Sequence, residues 1–263
     1  MSTNLSSEPP AVPINSSLDK AFDILEFLAS FGSPQSAPEI SRRLKLNKVT
    51  TYNLLRTLEY RQYLQKNESG KYVLSSKLFE LGTLYRTSNP VTHVFELCCL
   101  PLLQKYPACN ISLGGFGTSM RGIYLSILGS NESFVSPGTA FPLHATAVGK
   151  VLLANSSKEF RTAFFQQATL TRYTENTVTD PEILKEQLLK IRHQGYCILD
   201  GDLFTDFHCI SVPVFSSGRH LAGAISIRGS ESFVKKHQKK LLEDILAMGK
   251  YMSANLGYTD LAL

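Results

Sequence analysis

Apolar residues recur at helical spacing through the first quarter of the chain. Leu18, Phe22, Leu25 and Leu28 mark one stripe, with Ser17 as its N-cap. Ser36 and Glu39 stand three residues apart as a capping-box pair, opening a second helix that runs to about Lys45. The corner at Leu46-Asn47 is too short for anything but a tight helix–helix turn. A third helix then puts Thr51, Leu54, Leu55 and Leu58 on one stripe and Lys48, Thr50, Tyr52, Asn53 and Arg56 on the opposite face. The period next changes from helical to alternating: Tyr63 to Lys66 and Lys71 to Leu74 read as strands, split by the turn residues Asn67-Glu68-Ser69-Gly70. Three helices and a hairpin make a winged helix-turn-helix, whose third helix is held by one stripe and offered to a major groove by the other.

The remaining pattern predicts a second, α+β domain. Ser76 to Thr87 carries Leu78, Leu81, Leu84 and Tyr85 at helical spacing and is stopped by Asn89-Pro90, as a linker helix would be. Apolar residues nearly encircle Val91 to Tyr106, which predicts a helix buried in a domain or between subunits. Strands are predicted at Ile111 to Leu113, Gly122 to Leu128, Tyr196 to Leu199, Cys209 to Phe215 and Leu221 to Ile227. Helices are predicted at Leu143 to Ala154, at Pro181 to His193 with Asp180 as cap and Gly195 at the end, and at Val234 to Leu256, whose stripe is Leu241, Ile245, Met248 and Met252. The divisions are therefore residues 1–16 as a disordered tail, 17–75 as the winged helix, 76–90 as the linker helix and 91–258 as the second domain.

Charge sharpens the first reading. The net charge of +5 is mild, but Arg42, Arg43, Lys45, Lys48 and Arg56 fall between Ile40 and Leu58 with no acidic residue among them. Such a local field attracts phosphate. The DNA-contact candidates are Arg42, Lys48, Thr50, Thr51, Tyr52, Asn53 and Arg56, with Lys66 and Lys71 of the wing on the backbone.

Other classes find little support. No apolar run reaches the length of a membrane span, so a cytoplasmic protein is expected. Five cysteines without paired spacing predict reduced thiols and no zinc site. No phosphate-binding glycine loop, carboxylate pair or metal cluster is present, so neither cofactor nor catalytic residue is assigned. His208 beside Cys209 invites a nucleophile reading, but adjacent strand residues point to opposite faces. No basic residue beside either cysteine pair lowers a thiol pKa in this reading. His144 reads as a structural histidine, and Lys235, Lys236, Lys239 and Lys240 as a solvated face; Arg121 is left open. Two competing functions are an enzyme with an appended winged helix, and a winged helix used for protein or RNA contact.

The stretches EISRRLKLNKVTTYNLLRTLEYRQYL, GKYVLSSKLFELG, PLHATAVGKVLLA, VTDPEILKEQLLKIRHQGYCI, HCISVPVF and GAISI, in that order, resemble the isocitrate lyase regulator (IclR) family of bacterial transcription regulators from about Ser17 to Tyr258. The resemblance implies a C-terminal effector domain built like the GAF fold. It also implies dimers or tetramers on palindromic operators, DNA affinity set by small metabolites (commonly carboxylates), and no catalysis. By the same resemblance, Ala147 and Val148 offer backbone amides to a ligand carboxylate, and Cys209 and Ser226 line the pocket. Where the family commonly has a second serine this chain has Arg228. Where the family usually has an acid it has Leu199, with Asp200 and Asp202 following. Effector candidates are Ala147, Val148, Cys209, Ser226 and Arg228, a set that favours an anion meeting no fixed negative charge. The expected protein is a DNA-binding regulator, a homodimer or homotetramer named among repressors, whose operator affinity answers to a small carboxylate.

Overall fold

Asn15, not Ser17, opens the first helix. In the computed structural model, which describes residues 15–129, 135–205 and 207–259, the Asn15 side chain accepts from the amides of Ser17 and Leu18, both at 3.1 Å. The tail expected over residues 1–16 lies almost wholly outside the described residues. Helix α1 (Ser16–Phe31) ends at Gly32 in the left-handed conformation, where glycine carries no Cβ penalty. Its inward residues are Ile24 and Leu28, backed by Ala21 and Leu25, while Leu18 and Phe22 are exposed. Leu25 and Leu28 of the predicted stripe face inward as expected, while Leu18 and Phe22 do not, and Ile24 takes the buried place on that side. Helix α1 is apolar on both candidate faces, and the side that meets its neighbours settles the choice.

The next elements follow from local chemistry. Helix α2 (Ala37–Arg43) starts with the full capping box, Ser36 Oγ accepting from the Glu39 amide and Glu39 accepting from the Ser36 amide. Those bonds hold the exposed Glu39 carboxyl below its ordinary range. The corner is tied by Ser41 Oγ, which donates to Leu46 O at 2.8 Å, with Lys45 in the left-handed region. Helix α3 (Lys48–Tyr60) follows, capped by Asn47. Strands β1 (Leu64–Lys66) and β2 (Tyr72–Leu74) pair antiparallel around a turn held by Asn67 Oδ1, which accepts from the amides of Ser69 and Lys71. Ile24, Leu28, Ile40, Leu55, Leu58, Leu64 and Tyr72 close one small core. Helix α4 (Ser76–Ser88) buries no residue, and the chain divides into two compact units between Tyr85 and Arg86.

The second unit is a six-stranded antiparallel sheet in the order β5-β4-β3-β8-β7-β6. Its strands are β3 (Asn110–Phe116), β4 (Arg121–Leu128), β5 (Ala140–Pro142), β6 (Cys197–Asp200), β7 (Phe207–Ser216) and β8 (His220–Ser230). One face carries Ile111, Leu113, Ile210, Val212, Val214, Ile225 and Ile227 against α5 (Pro90–Lys105) and α9 (Glu231–Asn255). The helices are cross-tied by Tyr106 and Lys105, which both donate to Asp244. Helix α5 buries one side only, leaving Leu97 and Leu100 exposed. The other face is covered by α6 (Ala147–Asn155), α7 (Lys158–Gln167) and α8 (Pro181–Gln194). Helix α8 has the predicted cap and stop at Asp180 and Gly195.

Two elements escaped the pattern. Strand β5 has three residues, too few to show a period. Helix α7 faces inward mainly through Phe164. Helix α6 begins at Ala147 rather than Leu143, because Thr146 caps it by accepting from the Gly149 amide at 3.1 Å. All five cysteines are unpaired by disulfides. Among the described residues no helix is long and apolar enough to cross a membrane, and no group of three His, Cys, Asp or Glu side chains is placed to hold a metal.

Candidate DNA-contact surface and effector cavity

Helix α3 separates its two faces by the helical period. Tyr52, Asn53 and Arg56 are exposed, with Lys48 at the first turn, and the Arg56 guanidinium lies 6.0 Å from the centre of the Tyr52 ring. Thr50 is half-buried. Thr51 is not on this surface. It is 1 % exposed beside Leu55 and Leu58, and its Oγ1 donates to Asn47 O at 3.0 Å, which corrects its place among the DNA-contact candidates. A position read as part of the core stripe cannot also face a groove. Val49 was missed: at 69 % exposure it shares the outward face with Tyr52, Asn53 and Arg56, and its apolar surface suits a thymine methyl. Its signal was the spacing of 49, 52, 53 and 56 rather than its polarity. Arg42 is exposed in the last turn of α2. In the wing, Lys66 pairs with Glu59 at 3.3 Å, and Lys71 is half-buried.

The sheet face beneath α6 is polar although it is covered. Antiparallel register aligns Asn110, Arg228, Cys209 and Leu199 in one row across β3, β8, β7 and β6. The next row is Ser112, Ser226, Ser211 and Cys197. Ser226 Oγ donates to Ile210 O and Ser211 Oγ to Ile225 O, so both hydroxyls are held by the sheet while their lone pairs remain available.

Helix α6 closes over these rows. Val148 sits above Gly114, where a Cβ would come within 2.3 Å of its Cγ1, so glycine in β3 is what lets the helix approach. Thr146 Oγ1 takes the Gly149 amide and donates to Pro142 O, which leaves the amides of Ala147 and Val148 without an acceptor among the described residues. A helix start of that kind attracts anions.

The result is a cavity lined by Ala147, Val148, Cys209, Ser226 and Arg228, and also by Asn110, Ser112, Tyr124, Leu199 and Asp202. Water centres can range over about 60 Å³ of it; one water needs roughly 10–15 Å³ on that measure. The cavity therefore holds several waters or a small organic molecule.

Two features revise the sequence reading of the cavity's charge. Asp202 is a fixed carboxylate in the wall, where none was expected. It is 7 % exposed and pairs at 2.7 Å with Lys150, itself 1 % exposed and also donating to Gln187. Burial raises the Asp202 carboxyl above its ordinary value, and Lys150 opposes that shift. The pair presents little net charge to the cavity. Second, Arg228 stands beside Cys209 across the strand pair, a basic neighbour that linear spacing could not show. Burial nevertheless pushes the Cys209 thiol to about 12, so it stays protonated and acts as a weak donor. His208 turns to the opposite side and meets Asp200 at 2.6 Å. Tyr124, likewise raised to about 12 by burial, offers an O–H. His144 Nε2 donates to Thr171 O, and burial lowers its pKa. Arg121 Nη2 reaches Ala140 O on the exposed edge of the sheet.

Comparison with known proteins places both units. Residues 17–68 match the IclR helix-turn-helix domain, and residues 131–254 match the family described as bacterial transcriptional regulator IclR, C-terminal. The chain is 27% identical over 252 residues to the HTH-type transcriptional regulator XynR of Escherichia coli, covering 94% of this chain and 99% of that protein. It is 29% identical over 266 residues to the HTH-type transcriptional regulator KdgR of the same species, covering 98% and 97%. Among solved structures, an IclR homologue complexed with 4-hydroxybenzoate from Microbacterium hydrocarbonoxydans superimposes with a TM-score of 0.77 at 23% identity, covering 91% of this chain and 98% of that one.

Proposed function

The chain belongs to the IclR family of helix-turn-helix transcriptional regulators, and from that premise we propose that a small carboxylate, bound beneath α6, sets its affinity for a palindromic operator. The carrying observation is the cavity itself. It brings the open amides of Ala147 and Val148, the hydroxyl of Ser226 and the cationic Arg228 into the lining of one cavity. The carboxylate in its wall is already neutralised by Lys150. A carboxylate ligand gains charge-assisted bonds in such a site. A structural neighbour that binds 4-hydroxybenzoate, itself a carboxylate, agrees with this reading.

Helix α3 would enter the major groove through Lys48, Thr50, Tyr52, Asn53 and Arg56, with Arg42, Lys66 and Lys71 on phosphates. Two-fold pairing of subunits would match a two-fold operator. Exposed apolar residues on α1 (Leu18, Phe22) and α4 (Leu81 and Phe79, the latter 78 % exposed) support a dimer contact there.

The test is an operator titration by fluorescence anisotropy with and without a panel of carboxylates and their neutral amides. A regulating acid should change operator affinity by a coupling of about 1–3 kcal/mol while its amide does not. Amides that act as well as acids would overturn the carboxylate reading.

A further inference from the structure

Helix α3 shows one aliphatic side chain on a face that is otherwise polar. Val49 stands in its first turn, fixed there by Asn47 Oδ1, which accepts from the Val49 amide at 2.8 Å. Its side chain is 69 % exposed and takes no part in the core of the first unit, towards which α3 turns Thr51, Leu55 and Leu58. A β-branched residue at an exposed helical position costs helix stability relative to alanine. Neither packing nor helix propensity therefore accounts for valine here. Asn53 lies one turn on along the same ridge and is exposed. Its carbonyl accepts from Thr57 Oγ1, while its side-chain amide makes no hydrogen bond among the described residues. The Cβ atoms of two residues four apart on a helix stand about 5–6 Å from each other, and successive base pairs rise by about 3.4 Å, so the two side chains reach the same or neighbouring base pairs. A recognition helix contacts base edges through its N-terminal residues, which is where this ridge begins. Among the four bases, an aliphatic side chain in the major groove finds one methyl group, that of thymine, and asparagine is matched by N6 and N7 of adenine.

We propose that Val49 packs on a thymine methyl while Asn53 holds an adenine of the same or the next base pair, so that this ridge selects A·T at one place in each operator half-site. This rests on the reading of α3 as the helix in the groove and names the bases it selects. Taking one methyl group out of water against Val49 is worth about fourfold in affinity.

The experiment is a fluorescence anisotropy titration of the full chain on the duplex that it enriches from a randomised library. Each thymine is replaced in turn by deoxyuridine, which removes the 5-methyl and keeps the pairing, and each adenine by 7-deazaadenine, which removes N7. One thymine in each half-site should lose about three- to fivefold on demethylation. That loss should shrink below about twofold in Val49→Ala and persist in Val49→Ile. An adenine in the same or the next base pair should lose about tenfold on removal of N7, and Asn53→Ala should abolish the difference. Both side chains are exposed, so the variants should melt with the parent; if one does not, the base-analogue scan on the parent protein decides alone. A scan in which no thymine or no adenine responds, or responses unchanged in Val49→Ala and Asn53→Ala, would overturn the proposal. A duplex that still distinguishes the parent from Arg56→Ala would then leave α3 in the groove. Val49→Ala, Asn53→Ala and Arg56→Ala that all bind as the parent does, or a library from which the chain enriches no duplex, would overturn the groove reading as well.

Discussion

Replacing Lys150 by methionine removes a cation from the interior while keeping most of its aliphatic length. Lys150 Nζ donates to Asp202 at 2.7 Å and to Gln187 at 2.9 Å. The backbone at Asp202 is anchored, its carbonyl accepting from the hydroxyls of Thr174 and Thr177, and its side chain is 7 % exposed. The variant therefore leaves a buried carboxylate without its partner, a change that costs about 3–5 kcal/mol. For a domain of this size, at roughly 2–4 °C per kcal/mol, the melting temperature should fall by about 6–20 °C.

The pH dependence has a definite sign. Burial already raises the Asp202 carboxyl, and Lys150 is the chief group opposing that rise, so the folded-state pKa climbs further in Lys150→Met. Near and below the ordinary carboxyl value Asp202 is protonated in both folded and unfolded chains, and the deficit is smallest. As pH rises through the elevated folded-state pKa, the deficit grows to its full size. The double variant Lys150→Met/Asp202→Asn should recover most of the loss, since no charge is left buried. Acid binding should follow the same order, because an unneutralised Asp202 in the cavity wall repels an anion. Calorimetric melts from pH 4 to 8 on parent, single and double variants would measure it. A single variant within about 1 kcal/mol of the parent at pH 7, or a double variant no better than the single, would refute the reasoning.

Three further expectations follow from the surfaces. Arg56→Ala should weaken operator binding by about 1–3 kcal/mol if the guanidinium reads a guanine edge, and should weaken an unrelated duplex by a similar factor if it meets only phosphate; unchanged anisotropy titrations on both duplexes would remove it from the interface. Thr51→Val should leave operator affinity within about threefold of the parent, since its hydroxyl serves only its own helix; a tenfold loss with an unchanged melt would restore Thr51 to the contact surface. Leu81→Asp combined with Phe79→Asp should shift the protein towards monomer in sedimentation at micromolar concentration, and a dimer that survives would move the contact elsewhere.

Local chemistry carried much of the fold into view. The Ser36–Glu39 box, the Asn67 turn and the Asp180-Pro181 start of α8 each satisfy backbone groups within a few residues, so the sequence alone displays them. What escaped needed a partner from far along the chain. Only the first half of the α1 stripe was misjudged: Leu25 and Leu28 pack inward, but Leu18 and Phe22 are exposed and Ile24 is buried, which only packing against the rest of the first unit decides. The Lys150–Asp202 pair joins residues on α6 and the loop after β6. Nothing in the order of residues announces it, although a lysine in an otherwise apolar helix was a hint.

The effector cavity shows the same limit in a more instructive form. In β3 and β8, apolar Ile111, Leu113, Ile225 and Ile227 alternate with Asn110, Ser112, Ser226 and Arg228. Alternation of that kind usually means one face on the core and one in water. Here helices cover both faces, and Ser226 is as buried as its apolar neighbours. Polar residues kept on a covered face need partners. Ser226, and Ser211 beside it on β7, find carbonyls of the adjoining strand, which stabilises the sheet without a ligand. The open amides of Ala147 and Val148 at the start of α6 are not explained by sheet stability in that way. A fold built only to be stable would have filled this layer with aliphatic side chains, as it did on the α5 and α9 side. The polar layer under α6 fits the effector site proposed above, and Arg228 stands at its end where the sequence resemblance led to a serine.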